Sequence, residues 1–202
     1  MKVIGNQRNI QQSKEKIRAS KIKLRKTLKE LRRNIPLEKK HLADTEIVSR
    51  FLMTKEYNKA KLLLCYMNIS EEINTTPLIY AALANGKQVG LPRCNGERLD
   101  FYYINSLDDL VVGSYGIMEP SVKKCKRITD YSGSILVAPG LSFSPDGNRI
   151  GYGRGYYDRF LAAYSGKVIG LCYNSLVKLN IPVEETDKKV NVLITEKYTR
   201  NI

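Results

Sequence analysis

The stretch GNRIGYGRGYYD, residues 147–158, places four glycines and two arginines in twelve positions. Gly151, Gly153 and Gly155 let a main chain approach an anion closely and turn its N–H groups inward. Arg149 and Arg154 add forked, permanently charged donors. The stretch has neither a GKS/GKT ending nor a GxGxxG pattern. Its composition therefore describes a phosphate cradle and a mobile surface turn with solvated arginines about equally well. Asp158 sits three residues beyond Gly155. It can complement the dipole of a following helix, or hold a magnesium ion, which takes only one or two protein oxygens.

A second set of candidates lies near the N-terminus. At ~100° per residue with Ile17 as zero, Leu24, Leu28 and Leu31 fall near ~340°, ~20° and ~320°, with Lys21 near ~40° and Arg25 near ~80°. Lys21 and Arg25 thus border an apolar stripe, where a long side chain either snorkels to water or reaches an anionic ligand. Lys23 and Lys26 read as plain surface charge. In YMNISEEINT, residues 66–75, Glu71 and Glu72 either cap a helix or meet a ligand, and Met67 and Ile69 offer apolar contact to a ring. His41, the only histidine, has no partner spacing around it and reads as solvated. Cysteines 65, 94, 125 and 172 form no CxxC pair, so neither a zinc site nor a disulfide framework is expected. Cys65 and Cys172 read as core.

The elements that would position these residues follow from periodicity. The spacing predicts a helix from about Lys14 to Asn34, ending before Pro36, with residues 1–13 as a disordered basic tail. A second helix is expected over 37–53, with Leu42, Ile47, Val48, Phe51 and Leu52 toward the core. Strands are predicted at 61–67, 87–93, 98–104, 134–140, 167–173 and 190–196, and helices at 76–86 and 156–164. Short apolar strands alternating with helices predict one α/β domain over 14–202, a three-layer α/β/α arrangement around a mostly parallel or mixed central sheet. The glycine stretch would then follow a buried strand and precede a helix, where open sheets bind anions, and this favours the cradle.

The whole chain of 202 residues carries 34 Lys and Arg against 20 Asp and Glu, a formal charge of +14 that suggests a polyanionic partner. Residues 1–40 hold 14 basic and 3 acidic side chains, or +11, leaving 20 against 17, or +3, for the other 162. A nucleic-acid-binding protein using this basic helix, with some of the 13 tyrosines against bases, is the rival reading. No apolar run approaches the roughly 18 residues of a membrane span, so no membrane partner is expected. MKVIGNQRNIQQ lacks the apolar core of a secretory signal, and a cytoplasmic, reduced monomer is the expectation.

The run VAPGLSFSPDGNRIGYGRGYYDRFL, residues 137–161, resembles the signature of the 5-formyltetrahydrofolate cyclo-ligase family, also called methenyltetrahydrofolate synthetases, in which GNRLGRGGGYYDR follows a PGLAFD-like strand end. KIKLR (21–25), EINT (72–75), LPR (91–93), GIMEP (116–120) and IPVEETDKKVNVLITE (181–196) are similar to further motifs of that family. The resemblance covers about residues 20 to 196. It implies conversion of 5-formyltetrahydrofolate, with or without a polyglutamate tail, to 5,10-methenyltetrahydrofolate, with ATP as co-substrate, Mg²⁺ as cofactor, and ADP and phosphate as products. By matched position it implies that Lys21, Arg25, Arg149, Gly151, Gly153, Arg154, Gly155, Tyr156 and Tyr157 bind ATP, and that Arg25, Met67, Glu72 and Tyr156 contact the folate. It further implies that Arg149, Arg154 and Tyr156 act at the reacting atoms and that Asp158 and Asp187 hold the metal. Three positions depart from the family pattern: Tyr152 stands for a usual Arg, Ser144 for a common Asp and Asn191 for another. Tyr152 and Asn191 motivate a third reading, a folate- or nucleotide-binding homologue without turnover.

Overall fold

Three consecutive leucines, Leu62 to Leu64, are buried on both faces, which suits a strand in the middle of a sheet covered on both sides. A computed structural model describes residues 2–113 and 116–202, with side chains from Gln11 onward. In chain order the elements are α1 (Lys2–Arg33), α2 (Leu37–Leu52), α3 (Lys55–Lys59), β1 (Leu62–Leu64), α4 (Thr76–Ala84), β2 (Gln88–Asn95), β3 (Arg98–Ile104), β4 (Leu110–Val112) and β5 (Met118–Pro120). They continue with β6 (Ser134–Ala138), β7 (Ser142–Phe143), β8 (Arg149–Ile150), α5 (Tyr156–Leu161), β9 (Lys167–Leu171), β10 (Val192–Ile194) and β11 (Thr199–Asn201).

The α/β class is as expected: a seven-stranded sheet in the order β11-β10-β9-β6-β1-β2-β3. The five inner strands run parallel, and β3 and β11 pair antiparallel at the two edges. Chain order reverses between β1 and β6: β1 continues outward to β2, whereas β6 continues to β9 on the other side. The connections leaving the carboxyl ends of β1 and β6 therefore diverge, and such a switch point leaves a crevice. The core includes Phe51, Phe101 and Phe143, all fully buried, together with Cys65 and Cys172. His41 is exposed.

Several expectations need correcting. Helix α1 begins at Lys2, ahead of the expected Lys14; Lys, Gln and Arg are good helix formers and no proline interrupts residues 2–33. Met1 lies outside the described residues. Leu31 and Leu42, expected in the core, are 41% and 68% exposed. The buried face of α1 centres on Lys21, Leu28 and Arg32, and Leu42 lies ~140° around α2 from buried Ile47. Strand β6 does not lead straight into the glycine loop, because the β7–β8 hairpin intervenes. Its turn is closed by Ser144, whose hydroxyl accepts from Asn148 N at 3.1 Å and whose N–H donates to Asn148 O at 2.8 Å. The β4–β5 hairpin and β11 were also unforeseen.

Candidate functional site

The crevice at the switch point opens into a cavity of about 880 Å³, toward the upper end of the ~300–1,000 Å³ usual for ligand sites. The chain leaving β1 supplies Met67 and Glu72, strand β8 supplies Arg149, and the segment after it supplies Gly151 and Tyr152 through Asp158. Helix α1 contributes Lys21 and Arg25, and the segment before β10 contributes Asp187. Every residue that the resemblance implies for ATP, folate, the reacting atoms or the metal thus lines this one cavity, whereas Glu71 pairs with Arg33 outside its lining.

Arg149 is 7% exposed and crosses under the loop: Nη1 donates to Pro139 O at 3.0 Å and Nη2 to Asp158 Oδ1 at 2.7 Å. Arg25 donates from Nε to Gly151 O at 2.9 Å. Gly153 has φ of 100°, and a Cβ there would sit 3.3 Å from the Arg25 guanidinium carbon. A side chain at 153 would therefore strain the backbone and crowd that cation. Gly155, at φ 72°, is the left-handed residue that opens α5. Asp158 occupies the first turn of that helix, and Arg154 is exposed on the loop. Tyr156 Oη donates to Gly96 O at 3.0 Å, tying the loop to the β2–β3 turn. The Tyr157 ring lies 5.8 Å from the Arg149 guanidinium carbon, and burial holds its phenol well above the ordinary range.

Lys21 does not snorkel. It is 4% exposed, and Nζ donates to Glu184 Oε2 at 2.8 Å and Asp187 Oδ2 at 2.5 Å. Asp187 also accepts from Glu184 N at 2.8 Å. The two carboxylates expected at a metal are thus each held through one oxygen, Asp158 by Arg149 and Asp187 by Lys21. Both are hard oxygen donors lining the cavity, and a magnesium ion takes only one or two such ligands alongside water. The donor set fits that ion, although no cluster of three or more metal-ligating side chains occurs among the described residues.

Glu72 is 6% exposed and accepts from Ile69 N at 3.0 Å. Burial holds its carboxyl above the ordinary range, a rise that the Tyr152 hydroxyl, the Ile69 N–H and Arg32 offset only in part. Arg32 went unnoticed in the sequence. It is 5% exposed, donating from Nη1 to Tyr152 Oη at 3.0 Å and from Nη2 to Gly140 O at 2.6 Å and Leu141 O at 3.1 Å. On the helical wheel it falls near ~60°, between Lys21 and Arg25, which was the available signal. Glu184 was missed because only the fold brings it to Lys21. Asn191, in place of an aspartate, still accepts: its Oδ1 takes Val168 N at 2.9 Å.

Residues 17–196 match the model of the 5-formyltetrahydrofolate cyclo-ligase family. A protein of Caenorhabditis elegans named a probable 5-formyltetrahydrofolate cyclo-ligase is 30% identical, over 91% of this chain and 96% of its own. The 5-formyltetrahydrofolate cyclo-ligase of Haemophilus influenzae is 28% identical over 81% of this chain and 91% of its own. A solved structure of 5,10-methenyltetrahydrofolate synthetase from Aquifex aeolicus superposes with a TM-score of 0.81 at 32% identity, covering 90% of this chain and 92% of that one.

Proposed function

The chain belongs to the 5-formyltetrahydrofolate cyclo-ligase family, a family of enzymes, and from that premise we propose that it closes 5-formyltetrahydrofolate to 5,10-methenyltetrahydrofolate at the expense of ATP, releasing ADP and phosphate. The observation that carries the reading is the convergence of the signature loop, Lys21, Arg25, Met67, Glu72 and Asp187 on one cavity of about 880 Å³.

A formamide oxygen is a poor leaving group. In the proposed reaction it attacks the γ-phosphorus of ATP and ADP departs; N10 then adds to the formyl carbon and gives up its proton, and the former oxygen leaves as hydrogen phosphate carrying that proton. This chemistry asks for positioning and charge neutralisation rather than a protein nucleophile. Lys21, Arg25, Arg149 and Arg154 supply cations toward the phosphates, with Gly151, Gly153 and Gly155 letting the main chain approach them. Arg149 and Arg154 steady the charge that develops on the transferred group, and Tyr156 and Tyr157 bound the loop. Glu72 accepts from pterin N–H donors, Met67 gives the ring an apolar surface, and Arg25 and Tyr156 touch both substrates. A magnesium ion held by Asp158 and Asp187 would neutralise triphosphate charge.

The nucleic-acid reading loses part of its motive, because Lys21, Arg25 and Arg32 turn inward to carboxylates, carbonyls and a phenol. No helix among the described residues is long and apolar enough to cross a membrane. The test is to mix the purified protein with 5-formyltetrahydrofolate and Mg·ATP and follow methenyltetrahydrofolate by absorbance. Product is expected; folate and nucleotide binding with no product would favour the homologue without turnover. Arg149→Ala and Asp158→Ala are each expected to lower turnover by about 100-fold or more with the circular dichroism spectrum retained. Wild-type kinetics in both would move the phosphate site elsewhere.

A further inference from the structure

The residues proposed for ATP and its metal reach the cavity from α1, the glycine loop and the segment before β10, and Met67 and Glu72 reach it from the end of β1. A further part of the lining is apolar: Pro92 on β2, Leu99 on β3, Ile117 and Met118 where β5 begins, and Ala162 after α5. Strand β2 stands four strand spacings from β10, or ~19 Å, which sets this apolar end apart from Lys21 and Asp187. Arg159 of α5 borders it and is exposed. Its Nε donates to Glu97 O in the β2–β3 turn at 2.9 Å, and its Nη1 to Arg154 O in the glycine loop at 3.2 Å. The guanidinium carbon also lies 5.2 Å from the Tyr156 ring, and Tyr156 is itself tied to Gly96 O. Both bonds end on uncharged carbonyls, so the cation is fixed in place without being neutralised. The acid lining this end, Glu119, is 5% exposed and pairs with Arg93 at 3.6 Å.

We propose that this apolar end receives the aminobenzoyl ring of the folate and that Arg159 binds the glutamate α-carboxylate beyond it, making Arg159 a specificity-determining residue. The proposal rests on the reading of the cavity as a folate site. Nη2 makes no hydrogen bond among the described residues, so it and the second N–H of Nη1 remain as a fork for a carboxylate. A guanidinium already held by two carbonyls and a ring loses little freedom on binding. The α-carboxylate keeps its charge whether or not further glutamates are joined through the γ-carboxyl, so the contact serves both forms of the substrate.

The experiment is calorimetric binding of three ligands to wild type, Arg159→Gln and Arg159→Lys: 5-formyltetrahydrofolate, its α-carboxamide, and a non-hydrolysable ATP analogue. A charge-assisted hydrogen bond predicts that wild type binds the acid about tenfold or more tighter than the amide. Arg159→Gln should bring the acid down to the affinity of the amide while leaving the amide and the nucleotide unchanged. Arg159→Lys keeps the charge but loses the fork, and should preserve part of the preference. If Arg159→Gln weakens acid and amide alike and keeps their ratio, the arginine acts only by holding the loop and turn, and the proposal falls. If nucleotide affinity drops while the preference for the acid stays, the guanidinium serves the phosphates, which also overturns it. If wild type binds neither folate ligand, the folate reading of the cavity falls, and the proposal with it.

Discussion

Helix α1 borders the cavity and strand β1 leads into it, yet the two are fastened by different forces. Leu62, Leu63 and Leu64 of β1 are at most 2% exposed and sit between β2 and β6. Each such side chain contributes about 2 kcal/mol by leaving water, without regard to direction. Among the described side chains of α1, Leu28 is the fully buried apolar one. Leu24 packs against the core in part, and the helix's polar attachments run from Lys21 to Glu184 and Asp187, from Arg25 to Gly151 O, and from Arg32 to Tyr152, Gly140 O and Leu141 O. Burying charge costs nearly what pairing returns, so such contacts add little net stability but fix direction closely. They can also be exchanged for contacts to a charged ligand, which a leucine packed in a sheet cannot do.

Three substitutions probe that contrast. Leu64→Ala opens a cavity in the sheet and is expected to cost about 3–5 kcal/mol in urea unfolding; a loss below about 1 kcal/mol would mean that the sheet is not the principal source of stability. Lys21→Met changes the pH dependence of stability more than its size. A hydrogen bond from Lys21, chiefly, holds the Glu184 carboxyl below its ordinary 4.5, with Arg18 assisting. Its stabilising contribution is present above 4.5 and is lost as the pH falls through the lowered folded value. Wild-type and Lys21→Met stability curves should therefore converge at acid pH, and parallel curves would show the pair to be energetically idle. Arg18→Ala removes a bridge to Glu184 whose arginine is 66% exposed, and a change within about 0.5 kcal/mol is expected. A larger effect would extend the anchoring role of α1 toward its N-terminus.

Legibility in the sequence followed distance along the chain. The glycine loop was readable because its glycines, arginines and carboxylate fall within twelve residues, and Arg149 binds Asp158 only nine positions away. Lys21 and Arg25 were readable from the angular position that a helix imposes on them. Arg32 shares that face, but Leu31 beside it satisfied the apolar pattern and drew the stripe toward itself. The partners of Lys21 and Tyr152 were invisible, since 163 and 120 residues separate Lys21 from Glu184 and Arg32 from Tyr152. Hairpin β7–β8 escaped because two-residue strands carry too little alternation to register as a period.

Three arginines end on main-chain carbonyls of a single segment: Arg149 on Pro139, Arg32 on Gly140 and Leu141, and Arg25 on Gly151. A carbonyl oxygen is supplied by the peptide whatever side chain accompanies it. The acceptor end of each contact is thereby insulated from mutation, provided that the backbone keeps its path. Relatives could then differ in amino-acid type at 139 and 141 and still place the three guanidinium groups alike, while Gly140 is held to glycine by the Phe143 ring, 2.7 Å from where a Cβ would stand. Inheritance here would run through the course of the chain more than through the letters at 139 and 141.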